Sequence, residues 1–149
     1  MMSGILGKEP LRVYAIAMFL AWEDVMKAAA YATLKVPLRD LGWCQELGLL
    51  SAEDYHKLLQ WRFACQDAVG HVLDTGDYPS SDHDARAARR LLGETFKVTG
   101  CPGSGALIND TTKANVFQTN PKQSSSKLYK ALERLGEEID EALSKVRIT

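Results

Sequence analysis

The stretch VYAIAMFLAW, Val13–Trp22, determines the fold class because it is apolar over its whole length. Pro10 precedes it at a position suited to the first turn of a helix, and no glycine or proline follows before Pro37. A helix that is apolar on nearly all sides is covered by other elements on several sides. We therefore predict a central helix from Pro10 to about Val36, with the rest of the chain packed around it.

The same apolar run is too short to span a membrane. Glu23 and Asp24 end it after about half of the roughly 20 residues that a spanning helix needs. No small-residue cleavage site of secretory type follows the run. The cysteines lie far apart without metal-ligand spacing, which is typical of thiols in a reducing compartment. We expect a cytoplasmic protein with no membrane partner.

Three shorter helices are predicted downstream. The first runs from Leu38 to about Leu47, with Gly48 as its C-cap. Ser51 is a plausible N-cap with Asp54 three residues on, which predicts a helix from Ala52 to about Leu73. The residues DTGDYPSSD then form a loop, and Ser81 or Asp82 caps a helix through HDARAARRLLGETF. Its inward side chains should be Leu91, Leu92 and Phe96, with Arg86, Arg89 and Arg90 facing outward or towards a partner.

The region from Val98 to Ser125 is rich in glycine and serine, and we predict a long ordered loop there. Within it, ALIND and ANVFQT are predicted to pair as a small hairpin. Ser126 should cap a last helix, from Lys127 to about Val146, whose apolar residues step by three or four and form one stripe. The stripe fits docking on the domain better than pairing with another chain, because it is short for a coiled coil.

Length and composition are those of one globular domain. The chain has 149 residues, of which 46% are hydrophobic and 25% are charged, and its net charge is −1. Because the net charge does not attract a polyanion, a nucleic acid would need a local basic patch on the surface. We predict an all-α bundle of about five helices in a single domain, residues 1–149, without a cofactor or a metal ion.

One pair of residues in the helix Ala52–Leu73 is a candidate for chemistry. Asp67 and His71 are four residues apart and share a helical face, with Asp74 further along it. A carboxylate fixes the tautomer of a neighbouring imidazole and raises its pKa, as acid–base catalysis requires. The same arrangement also satisfies a half-buried histidine, which is the interpretation we favour.

The stretch GLLSAEDYHKLLQWRFACQDAVGH, residues 48–71, resembles the later helices of HEPN-type domains. In those domains a segment such as Gly-Leu-Ile-Ser-x-Glu-Glu-Tyr opens a helix that ends in an Arg-polar-x-x-x-His signature. The resemblance covers residues 45–73. It implies a four-helix fold shared by ribonuclease toxins, nucleotide-binding partners of small nucleotidyltransferases and inactive regulators. In this family the arginine and histidine cleave RNA, usually at a site shared across a dimer.

The resemblance assigns roles residue by residue. His71 falls on the signature histidine and Asp67 on the polar position, whereas Gln66 replaces the arginine. An enzyme of this type would use His71 as acid or base and Asp67 to orient it. Gln66 or Arg62 would contact phosphate, although Arg62 and His71 lie on opposite helical faces. The replaced arginine favours a non-catalytic relative.

Two other catalytic patterns are weaker. His83 and Asp84 are similar to the core of metal-dependent HD phosphohydrolases, with His56 and Asp110 as further ligands. The pair begins a polar helix, however, where acidic residues are ordinary. The glycine-rich GCPGSGALINDTTK lacks the Gly-Lys-Ser/Thr of a phosphate-binding loop.

The favoured function is a non-catalytic binding or regulatory module that contacts an unknown protein partner. Its surface would include the loop 98–125 and the strongest basic cluster of the chain, formed by Arg86, Arg89, Arg90 and Lys97. This basic patch makes a nucleic-acid partner an alternative, and a homodimer is a further one. Core packing is predicted for Trp22, Trp43 and Trp61, which lie in apolar context.

Overall fold

The computed structural model describes residues 2–75, 83–100 and 125–148, and every regular element in these ranges is helical. The predicted all-α fold class, a helical bundle, is confirmed. The α-helices of the described ranges are α1 (Met2–Lys8), α2 (Pro10–Phe19), α3 (Glu23–Thr33), α4 (Ala52–Thr75), α5 (His83–Thr99) and α6 (Ser125–Lys145). The predicted hairpin and the loop residues 101–124 lie outside these ranges.

The predicted single helix from Pro10 to about Val36 is wrong, because the chain turns after Phe19. Pro10 does begin α2, but α2 ends at Phe19 and α3 starts at Glu23. Glu23 and Asp24 occupy the first turn of α3, where acidic side chains interact favourably with the helix dipole.

A Schellman cap ends α2. The backbone N–H of Trp22 donates to the carbonyl of Ala17 at 2.9 Å, and that of Ala21 donates to Met18 at 3.1 Å. Ala21 takes the left-handed conformation that this cap requires, with φ of 54°. Glycine usually fills this position, so an alanine there concealed the end of the helix from sequence analysis.

The segment between α3 and α4 also differs from its prediction. In place of a helix from Leu38 to about Leu47, the chain forms two 3₁₀ turns, Leu38–Asp40 and Gln45–Leu49. Gly48 lies inside the second turn rather than capping a helix. Neither turn contains a buried residue, so no apolar face is available to stabilise a longer helix there.

The predicted start of α4 is confirmed. The hydroxyl of Ser51 accepts a hydrogen bond from the backbone N–H of Asp54 at 3.0 Å and donates to the Asp54 carboxylate at 2.6 Å. This reciprocal cap satisfies one of the unpaired donors at the helix start. The helix continues two residues beyond the predicted Leu73, to Thr75.

The chain divides into two compact units, and α4 supplies residues to both. The first comprises Met1–Ala64 with Arg147–Thr149, and the second comprises Cys65–Val146. In the first unit α2 packs against α3, α1 and the turn Gln45–Leu49. A single domain over residues 1–149 stays a prediction.

The core of the first unit combines small side chains with a few large ones. Alanines buried on α2 and α3 allow close helix packing, and larger residues complete the core: Leu11, Tyr14, Leu34, Leu58 and Trp61. Trp61 meets Tyr31 edge to face, with ring centroids 5.2 Å apart. Core packing is therefore confirmed for Trp61, but it is wrong for Trp22 and Trp43, which are 53% and 82% exposed.

In the second unit α5 packs against α6. The stripe predicted on the last helix is confirmed, because Leu128, Leu132, Leu135, Ile139 and Leu143 are all buried. Helix α5 buries Ala85, Ala88 and Leu92, and the part of α4 that belongs to this unit buries Cys65 and Val69. Helix α6 begins at Ser125, so Ser126 lies within the helix and not at the predicted cap position.

Candidate functional site

The predicted acid–base pair lies on the solvent side of α4. Asp67 and His71 are both exposed, as is Asp74, while Cys65 and Val69 on the other side of the helix are buried. The exposed residues are three or four positions apart and therefore share one face. The structure thus brings Asp67 and His71 to the same accessible surface of the second unit.

Gln66, which was predicted to contact phosphate, points away from that surface. Its side-chain Nε2 donates a hydrogen bond of 2.6 Å to the carbonyl oxygen of Gly100. Gly100 follows the last residue of α5 in the left-handed conformation, with φ of 62°. The amide of Gln66 therefore ties α4 to the end of α5.

Arg62 is buried at 2% exposure in the first unit. Its guanidinium donates to the carbonyl oxygens of Thr33 and, at 3.0 Å, of Val36, where α3 ends. The Thr33 carbonyl also accepts the backbone N–H of Val36 at 3.2 Å, and a positive charge beside the carbonyls at the end of a helix is favourable. Arg62 consequently serves as a long-range cap of α3, and the structure does not bring it to the exposed face that carries Asp67 and His71.

The residues of the predicted basic cluster do not all lie on one exposed surface. Arg86, Arg90 and Lys97 are exposed on one face of α5, and we call these three residues the basic stripe. Arg90 lies 3.4 Å from Glu94, which offsets part of its charge. Arg89 was predicted to face outward or towards a partner, but its side chain is only 12% exposed and lies 3.7 Å from Glu138 of α6.

A cluster of exposed apolar side chains was missed by the sequence analysis. Phe19, Leu20 and Trp22 flank the strained Ala21, and we call these four residues the aromatic turn. The three large side chains are 65%, 43% and 53% exposed. The acidic pair after Trp22 could have revealed this cluster. Acidic residues such as Glu23 and Asp24 are typical of a helix start, so the residues before them would lie between two helices.

Two cavities open on the first unit. One, of about 160 Å³, is lined by Tyr14, Met18, Met26, Asp54, Lys57 and Ile148. The other has a volume of about 260 Å³ and is lined by charged side chains of both signs and by an exposed indole. Its lining includes Lys8, Glu9, Arg12, Asp40 and Trp43. Arg12 is held there by Glu9 at 3.0 Å and by Glu46 at 2.7 Å. Neither cavity was predicted, because their walls come from residues far apart in sequence.

The described ranges contain no group of three or more histidine, cysteine or acidic side chains that could hold a metal ion. The alternative HD pattern begins α5 with His83 exposed, and Asp110 lies outside the described residues. Among residues 2–75, 83–100 and 125–148, no helix has the length and apolar character to cross a membrane. No protein-family model, curated protein or solved structure matches this chain.

Proposed function

We propose that this chain is a non-catalytic binding module that contacts a partner protein through the aromatic turn. The observation that carries the proposal is the exposure of Phe19, Leu20 and Trp22 within four consecutive residues. Single exposed apolar residues are ordinary, but adjacent large ones are typical of protein interfaces. Tryptophan in particular contributes strongly to binding energy when a partner covers it.

The backbone of the aromatic turn supports this role. A left-handed alanine costs about 1–2 kcal/mol, and the two hydrogen bonds of the Schellman cap hold it in place. Strained residues of this kind persist where the surrounding structure imposes them, and they cluster at functional sites. The cap presents the three side chains on a fixed backbone, so little conformational entropy is lost when a partner binds.

The contacts of two candidate catalytic residues also favour binding over catalysis. Gln66 is bonded to Gly100, and Arg62 is buried against the end of α3. Neither side chain can reach a phosphate group without breaking these hydrogen bonds. A ribonuclease site would therefore need its phosphate contact from elsewhere.

A photo-crosslinking experiment tests the proposal. Benzoyl-phenylalanine at position 19 should give one discrete crosslinked species in the native host, and Trp22→Ser should abolish it. The matched control is the same probe at Lys27, whose side chain is 52% exposed on α3. Crosslinking of equal strength at both positions, or at neither, would contradict the proposal.

The basic stripe is a second proposed contact surface, suited to a nucleic acid or an acidic partner. Replacing Arg86 and Arg90 by glutamate should weaken RNA binding and flatten its salt dependence, because fewer phosphates are neutralised. Arg134→Glu, at an exposed arginine of α6, is the control. We further propose that the chain forms a homodimer and is located in the cytoplasm. The molecular mass in solution tests the homodimer.

A HEPN-like ribonuclease is the second candidate function. The exposure of Asp67 and His71 on one face of α4 favours it, because a catalytic histidine must reach its substrate. In a ribonuclease assay, His71→Ala should abolish cleavage, whereas His56→Ala, at another exposed histidine of α4, should not. Absence of cleavage by the native chain, as monomer or dimer, would eliminate this candidate.

A further inference from the structure

The aromatic turn is followed directly by two carboxylates. Residues 19–24 are all exposed, and the last two of them are acidic. The Glu23 side chain is 81% exposed and lies 4.0 Å from the ammonium group of Lys27. Between residues 13 and 26 the sequence contains no basic residue. The exposed apolar side chains therefore have an acidic border, which favours a partner that combines positive charge with groups that pack on aromatic rings.

The basic stripe on α5 has the complementary properties. Arg86 and Arg90 are exposed and four positions apart, so they lie on the same face of the helix. Arg90 has a side chain that is 82% exposed, although Glu94 lies 3.4 Å away. A guanidinium group stacks on aromatic rings and forms two hydrogen bonds with a carboxylate, and the aliphatic part of the arginine side chain covers apolar surface. The stripe can therefore cover the aromatic rings and pair with the carboxylates at the same time.

Two copies of this chain supply both surfaces. Each copy carries an acidic, aromatic surface and a basic one, and its net charge of −1 causes little repulsion between copies. We propose that the aromatic turn of one copy, with the two carboxylates that follow it, binds the basic stripe of a second copy. The arginines stack on the aromatic rings and pair with the carboxylates. This inference rests on the proposed function, because it names the partner of the aromatic turn and the contact of the proposed homodimer.

Crosslinking of the purified chain locates the contact. With benzoyl-phenylalanine at position 19, a mixture of isotope-labelled and unlabelled chains should give peptides that join position 19 of one copy to α5 of the other. The same probe at Lys27 is the matched control and should give no such peptides. A crosslinked species in the native host, together with none in the purified chain, would overturn this inference and leave the proposed function standing. Absence of crosslinking in both would overturn both.

Exchange of the charges tests the complementarity. Two double variants, Glu23→Lys with Asp24→Lys and Arg86→Glu with Arg90→Glu, should each raise the Kd of self-association about a hundredfold, because each places like charges in contact. Sedimentation equilibrium measures this change. An equimolar mixture of the two variants should associate as tightly as the native chain. In the mixture the lysine-bearing turn meets the glutamate-bearing stripe, and the native turn of one variant meets the native stripe of the other.

The control variant, Glu53→Lys with Glu133→Lys, makes the same change of net charge as the lysine variant at two other exposed positions and should leave the Kd unchanged. If the lysine variant does not fold, the variant of Arg86 and Arg90 still decides, because it leaves the first turn of α3 intact. A native chain that remains monomeric, or an equal Kd for the native chain and the arginine variant, would overturn the proposal. Loss of RNA binding without loss of self-association in the arginine variant would assign the stripe to a nucleic acid instead.

Discussion

At the scale of single residues, two side chains occupy positions that sequence rules assign to other types. Ala21 holds a left-handed conformation that normally selects glycine, and Arg62 is a charged residue in a core. Both are explained by helix ends. Ala21 closes α2 through its own backbone, and Arg62 closes α3 through a side chain that comes from α4.

Ala21→Gly should stabilise the protein by about 1 kcal/mol, because glycine adopts the left-handed conformation without steric cost. The change is measured as the midpoint of urea unfolding. Ala28→Gly, at an exposed position inside α3, should instead destabilise by about 0.5–1 kcal/mol. A loss of stability in both variants would show that the cap does not form.

Arg62→Met should destabilise the protein by about 3 kcal/mol, because it removes the buried guanidinium hydrogen bonds to the carbonyls of Thr33 and Val36. Arg62→Lys should rescue little, since an ammonium group lacks the planar fork that reaches two acceptors. Arg39→Met, at a side chain that is 77% exposed, is the control and should change stability by less than about 0.5 kcal/mol. Similar values for Arg62→Met and Arg39→Met would refute the capping role.

At the scale of elements, α4 and α6 were predictable and the region from α2 to the 3₁₀ turns was not. The start of α4 depends on a cap between residues three positions apart, and α6 depends on apolar residues three or four positions apart. Both signals lie between residues close in sequence, so they can be recognised in a single sequence. The division between α2 and α3 depends on one alanine, and the bonds of Arg62 and Gln66 join residues 26 to 34 positions apart. Such partners are fixed by tertiary packing, which a single sequence does not display.

The attachment of the second 3₁₀ turn to α2 should weaken in acid. The backbone N–H of Glu46 and the Arg12 guanidinium lower the pKa of the Glu46 carboxyl below its ordinary value of 4.5. The stabilisation is therefore complete above that value and is lost as the pH falls through the lowered pKa. Unfolding measured at decreasing pH should show a smaller acid loss for Glu46→Gln than for Glu133→Gln. Equal acid dependence in the two variants would contradict this ion pair.

At the scale of the whole molecule, backbone amides should be protected from hydrogen exchange where the side chains around them are buried. Helix α4 contributes buried residues to both units, namely Leu58, Trp61, Cys65 and Val69, whereas the two 3₁₀ turns bury none. Hydrogen exchange with mass spectrometry should therefore find the slowest amides in the middle of α4 and fast ones in Leu38–Asp40 and Gln45–Leu49. Slow exchange in the 3₁₀ turns would show that they are stabilised by contacts beyond those described.

The position of Ile148 beside Tyr14 has a consequence for biosynthesis. Every other residue that lines the smaller cavity precedes position 58. The ribosome therefore synthesises these residues before the second unit and Ile148 after it. A nascent chain halted anywhere between them carries Tyr14, Met18 and Met26 without their last neighbour. The wall of this cavity is therefore complete only after the ribosome has passed Ile148, when the whole of the second unit has already been synthesised.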